Sequence, residues 1–309
     1  MKAYQTVVSK CLALKKYESC LIVADRNKTG IAKALFDAAA CITPKTTLIL
    51  TSIGKNDGEE PAHYVAKEMK KYDVLILATT RSLTHTKARR DATRKGARIA
   101  SMPNITEHAM RCIDVDYKSM HKVGARLAGL LSKADNVRVT TPAGTDLEMS
   151  LRGVWIDLSD GIFTEKGAYG NLPDGEVCMM PVFGTANGVF VVDGSMLNRK
   201  VDKPVKILVE NGFASQITGG KLATELNRLL REHGKDAHNV AELGIGINPK
   251  ARITGNILED EKALGTAHIA LGNNVSFGGK INVPVHVDCV MRNPTIYADG
   301  KVIVKAGKL

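Results

Sequence analysis

Along the first part of the chain, short apolar runs alternate with segments of helical spacing. CLIVAD (Cys20–Asp25), TLILTS (Thr47–Ser52) and VLILATT (Val74–Thr80) predict strands, with ARIASMP (Ala97–Pro103) continuing the series. Between them GIAKALFDAAA (Gly30–Ala40), PAHYVAKEMKKY (Pro61–Tyr72) and THTKARRDATRKG (Thr84–Gly96) predict helices, one opened by Pro and one closed by Gly. Strands alternating with crossover helices are the signature of a parallel sheet. The expectation is an α/β, Rossmann-like N-terminal domain over residues 1–132, its last helix running from about Asp116 to Ser132.

The rhythm then changes. NVRVTTPAGTDLEMSLRG (Asn136–Gly153) alternates on either side of a turn, as a hairpin does, and VFVVDG, VKILVENG and IYADGKVIVKAG repeat the strand-plus-turn texture. KLATELNRLLREHG (Lys221–Gly234) is the one strong helix among them. Residues 133–309 are therefore expected to form an α+β domain with a largely antiparallel sheet.

Two domains suit the length of 309 residues, and 44% hydrophobic with 24% charged residues describes a globular protein. A net charge of +11 invites nucleic acid, but the Lys and Arg are dispersed and no aromatics interleave with them to stack bases. A basic surface that draws in anionic small molecules is the simpler expectation. The six cysteines form no CxxC pair, no apolar run approaches a membrane span, and the N-terminus lacks a signal-like core, so a cytoplasmic protein with buried thiols is expected. The turn after the first strand, ADRNKTG, has one late glycine, which argues against a dinucleotide site. In SLTHTKARR, Ser82 or Thr84 suits a helix cap and His85 a surface position.

Candidate chemistry concentrates in the second half. Residues two apart on a strand share a face. In VHVDCV, Val285, Val287 and Cys289 take one face, leaving His286 and Asp288 together on the other. In AHIAL, His268 lies opposite Ala267, Ile269 and Leu271, and in AELGIGINP, Glu242 lies opposite Leu243, Ile245 and Ile247, beside glycines too small to block access. Glu176 in NLPDGEVCMMP stands where a turn enters a strand. Imidazole and carboxylate without thiolate form a ligand set for Zn, Co, Mn or Fe(II).

NLPDGEV, NVAELGIGINP, ILEDEKALGTAHIALGNN and the closing HVD, in that order, resemble the aminopeptidase T family of metallo-aminopeptidases. The resemblance is dense from about Asn171 to Asp288, and CLIVADRN and SLTHTKARR extend it over most of the chain. It implies a homodimer with a two-metal site, whose ligands fall on Glu176, Glu242, His268, His286 and Asp288. Two departures stand out. The family carries a tyrosine seven residues after the first histidine, where this chain has Val275, and only 17 residues separate His268 from His286.

The expected function is thus an aminopeptidase acting on small peptides, with two Zn, Co or Mn ions activating a water and Glu176 moving the proton. The alternative uses the same residues differently. His268, His286 and Asp288 are the two histidines and one carboxylate of a non-haem Fe(II) oxygenase, and the resemblance extends to a ring-opening dihydroxypyridine dioxygenase with one iron. There a glutamate would be a base, and the missing tyrosine would be no loss.

Overall fold

The computed structural model describes residues 2–309. Its contacts divide into two compact units, Met1–Tyr117 with Gly161–Asp174 and Lys118–Asp160 with Gly175–Leu309.

The first unit is built on a five-stranded parallel sheet. Its strands run in the order Thr46–Thr51, Cys20–Asp25, Val74–Ala78, Arg98–Ser101, Tyr169–Asn171. Every residue of Cys20–Asp25 and of Val74–Ala78 is buried, as the unbroken apolar runs require. Helices Thr29–Ala40, His63–Met69 and Lys87–Arg94 make the crossovers. Val65, Met69, Ala88 and Ala92 pack with Leu21, Val23, Leu75, Leu77 and Ile99 in one core. Each fully buried Leu, Ile or Val there contributes roughly 1.5–3 kcal/mol. The helix at Lys87 is capped by Thr86, whose hydroxyl accepts from the Arg89 N–H, rather than by Ser82 or Thr84; His85 is exposed.

The second unit is antiparallel in all its strand pairings. A seven-stranded sheet contains the expected hairpin, Asn136–Thr140 with Asp146–Ser150. Two of its turns, Asn211-Gly212 and Asp299-Gly300, place both residues at positive φ, which is why Asn-Gly and Asp-Gly stand there. Helix Lys221–Glu232 buries Leu222, Leu226 and Leu230, the i, i+4 stripe that makes it amphipathic. The fold class is as expected, α/β followed by α+β.

A second, five-stranded sheet positions the candidate site. Its order is His286–Arg292, Thr266–Gly272, Val240–Gly246, Glu176–Met179, Ile156–Ser159. The two central strands are buried along their whole length, so a polar residue there must find partners. Among the described residues no helix is long and apolar enough to cross a membrane. None of the six cysteines is in a disulfide; five are buried, but Cys41 is exposed, contrary to the expectation of uniformly buried thiols.

Candidate metal centre

Strand register brings the five predicted residues together. Glu242 pairs with Ala270 and Ala270 with Asp288, so the two carboxylates flank one small residue in a row across three strands. One row further along, Gly244 pairs with His268; on the other side of Asp288, Gly272 pairs with His286. Gly246 pairs with Glu176. All these residues share a face because cross-strand partners and i, i+2 neighbours do.

The glycines are there for space. A Cβ on Gly244 would lie 2.1 Å from His268 Cε1, and one on Gly246 would lie 2.2 Å from the Ala263 carbonyl oxygen. Without them the His268 ring and the chain around Ala263 could not lie across this face.

The donors converge on two imidazole nitrogens. His268 Nε2 is 3.7 Å from Glu176 Oε2, 3.6 Å from Glu242 Oε1 and 3.9 Å from Asp288 Oδ1. His286 Nε2 is 3.1 Å from Glu242 Oε2 and 3.4 Å from Asp288 Oδ1. His286 Nδ1 lies 2.7 Å from the Asn273 carbonyl, which can only accept, so Nδ1 carries a proton and Nε2 is the nitrogen that faces the cluster, 3.1 Å from Glu242 Oε2, where its own proton would be given up to an incoming cation. This is how metal-binding histidines are usually held. Glu176 Oε2 and His268 Nδ1 are buried and have no hydrogen-bond partner.

Electrostatics agree with a cation-seeking site. Burial opposes charge on His268, yet the carboxylates of Glu242, Glu176 and Asp288 push it up to about 9, and His286 is raised in the same way. Burial likewise opposes ionisation of Glu242 and Asp288, but the two imidazoles outweigh it and hold both below the usual carboxylate range. Glu176 is pushed up, first by burial and then by neighbouring carboxylates, against the pull of Lys262. A divalent ion would compete with the imidazole protons for these same oxygens. The residues fit a metal ion: an unpartnered buried carboxylate oxygen, an imidazole oriented through Nδ1 so that Nε2 faces the carboxylates, and three overlapping groups of donors, the atoms of each group within 4.8 Å of one another.

Three further residues face the cluster and were not singled out from sequence. Glu261 forms a donor group with His268 and Asp288. Lys262, with its side chain 5% exposed, donates from Nζ to Glu176 Oε1 and lies 2.9 Å from Glu261 Oε1. Asp157 shares the face through its pairing with Cys178, and burial raises its pKa with Glu242 adding to the effect. Glu261 and Lys262 lie within the ILEDEKALGTAHIALGNN motif, where EDEK has the pattern of a solvated charged stretch.

Residues 2–309 match the family model described as 2,5-dihydroxypyridine 5,6-dioxygenase. The chain belongs to the 2,5-dihydroxypyridine 5,6-dioxygenase family. A curated 2,5-dihydroxypyridine 5,6-dioxygenase of Pseudomonas putida is 25% identical over 246 residues, 75% of this chain and 70% of the relative. The solved 2,5-dihydroxypyridine dioxygenase of Pseudomonas putida KT2440 superposes with a TM-score of 0.85 at 21% identity, over 100% of this chain and 96% of that one. Wild-type AmpT from Thermus thermophilus is a fold neighbour, with TM-score 0.73 and 15% identity over 99% and 98% of the two chains.

Membership of the dioxygenase family overturns the aminopeptidase expectation, and with it the assignments of hydrolase and protease. The aminopeptidase T resemblance survives as shared fold. The chemical reason lies in the chain itself. At the position where the aminopeptidase resemblance implied a tyrosine, Val275 sits 48% exposed in the short helix Val275–Phe277 and has no hydroxyl with which to polarise a peptide carbonyl.

Proposed function

We propose that this protein is a non-haem Fe(II) dioxygenase that opens a dihydroxylated, nitrogen-containing aromatic ring with O2. The family match over residues 2–309 carries the reading. The chemistry of the donor set supports it: His268, His286 and Asp288 are two imidazoles and a carboxylate meeting on one face, the ligand set of such oxygenases. In this reading they would hold the iron, with Glu242 beside both imidazoles. Two Zn, Co or Mn ions are not part of it.

Bound ferrous iron supplies the one-electron chemistry that lets O2 react with an aromatic ring. The chain's own residues do the rest. Glu176 Oε1 is tied to Lys262, which leaves Oε2 unpartnered and turned towards His268. That oxygen is the base for a ring hydroxyl proton, and burial lifts its pKa towards the range where a base is most effective. The buried strands exclude water from one side of the cluster, while the more exposed His286 edge gives a ring access.

The test is oxygen uptake. Whole protein loaded anaerobically with Fe(II) should consume O2 and 2,5-dihydroxypyridine in equal amounts, with loss of the ring absorbance. Stoichiometric iron without oxygen uptake on any dihydroxypyridine would sink the reading. Homodimeric assembly in the cytoplasm belongs to the same proposal, and light scattering that returned the mass of a single chain would remove the dimer.

A further inference from the structure

We propose that Lys262 is a built-in second cation of this centre: its ammonium holds the two carboxylates that a second divalent ion would need, so the site takes a single ion. The inference rests on the centre holding a metal, as proposed above, and adds what sets the number of ions.

The donor groups supply the argument. Glu176, Glu242 and His268 form one, Glu242, His286 and Asp288 another, and Glu261, His268 and Asp288 a third. Glu242, His268 and Asp288 each belong to two of these groups. Two ions side by side would sit about 3.5–4 Å apart and share bridging carboxylates. They would therefore have to draw on Glu176 or Glu261, the two carboxylates that belong to one group only. These are the two carboxylates that Lys262 engages.

Nothing about Lys262 suggests a side chain that swings aside. Its Nζ, Glu176 and Glu261 are all buried, with side chains 5%, 8% and 11% exposed. The turn that carries it is braced by its own sequence. Asp260 accepts from the Thr254 N–H at 2.6 Å and the Gly255 N–H at 2.8 Å, and Glu259 accepts from the Arg252 N–H at 3.1 Å. The Lys262 carbonyl accepts from the Asn248 N–H at 2.8 Å, and Lys262 N–H donates to the Glu259 carbonyl at 3.1 Å. EDEK thus divides its charges: Glu259 and Asp260 fix the turn, and Glu261 and Lys262 face the centre. An ammonium so placed repels a divalent ion at the Glu176–Glu261 end and leaves the His268–His286–Asp288 end to one.

Zinc titrated into metal-stripped whole protein, counted by native mass spectrometry and followed by thermal unfolding, tests this without oxygen chemistry. The wild type should bind one zinc per chain. Lys262→Met should bind two, the second raising its melting temperature, and the double variant Glu261→Gln/Lys262→Met should return to one. Two zincs on the wild type overturn the inference, as does one zinc on Lys262→Met in excess metal. Lys262→Met that folds only above one equivalent of zinc is the expected result in another form; if it stays unfolded at every zinc concentration, Lys262 is a mere counter-charge and the inference fails. One ion per chain with no oxygen uptake defeats the proposed function alone, and no zinc on the wild type defeats both.

Discussion

His286 reaches the cluster with its ring oriented by the Asn273 carbonyl at Nδ1, and Asp288 follows two residues later on the same face. In the proposed reading both are ligands, whereas Glu176 is half committed to Lys262. The two roles separate by mutation. Asp288→Ala should lose iron along with activity; supporting residues around a metal cost about 10–100-fold in affinity, and a ligand should cost more. Glu176→Gln should instead keep its iron and lower kcat by about 10²- to 10⁴-fold, the usual worth of a positioned base. Iron analysis beside oxygen-uptake kinetics checks both, and iron lost from Glu176→Gln would make Glu176 a ligand. Strand alternation put His286 and Asp288 on one face, and His268 and Glu242 each opposite an apolar face, because each stands out on an otherwise apolar or glycine-rich strand; Glu176, at a turn entering a strand, was joined with them into one set through the family resemblance. Alternation was blind to Glu261 and Lys262, which enter from a braced turn with no face periodicity, and whose burial comes entirely from tertiary packing.

The elements explain why the cluster can exist on a buried sheet. Gly244 faces His268 across the Val240–Gly246 and Thr266–Gly272 pair, and the imidazole occupies the space where a side chain would stand. Gly244→Ala should push the ring aside, costing about 1–3 kcal/mol in overpacking and most of the iron affinity. Denaturant unfolding and iron titration would show it; unchanged iron binding would mean the ring is free to shift. These strands were legible because their apolar residues alternate without a break. Strand Tyr169–Asn171 was not: three residues, none β-branched, join the parallel sheet beside Arg98–Ser101 from a distant stretch of chain. Tyr169 favours a strand but Gly170 and Asn171 do not, so the pairing itself rather than propensity makes YGN a strand.

At the level of the whole chain, the change of rhythm marks two kinds of sheet, while the return of Gly161–Asp174 to the parallel unit has no such mark. The two units should answer to different conditions. Every candidate donor lies in the second, so a ligand bound at 100 times its Kd would stabilise that unit by about 2.7 kcal/mol. The first unit carries an acid-sensitive pair instead. Glu18 accepts two hydrogen bonds from Arg98 at 2.8 and 2.7 Å and one from the Lys15 N–H, and Asp73 accepts from the Ser19 N–H and hydroxyl, each at 2.8 Å. The Arg98 bonds hold Glu18 below the usual carboxylate range, and the Ser19 N–H does the same for Asp73. Because both folded-state values are depressed, the stability they contribute is fully present above the ordinary carboxylate pKa, about 4, and is lost as pH falls through the lower folded values. Glu18→Gln should therefore lower stability at pH 7 by about 1–3 kcal/mol, between the surface and buried limits for an ion pair, and should flatten the acid side of the curve. Hydrogen exchange between pH 7 and 3.5 would locate the loss in Cys20–Asp25 and Val74–Ala78, and stripping the metal should raise exchange in Val240–Gly246, Thr266–Gly272 and His286–Arg292. Acid-induced exchange confined to the metal strands, with Glu18→Gln indistinguishable from wild type, would deny the pair its role and leave the centre as the main source of acid sensitivity.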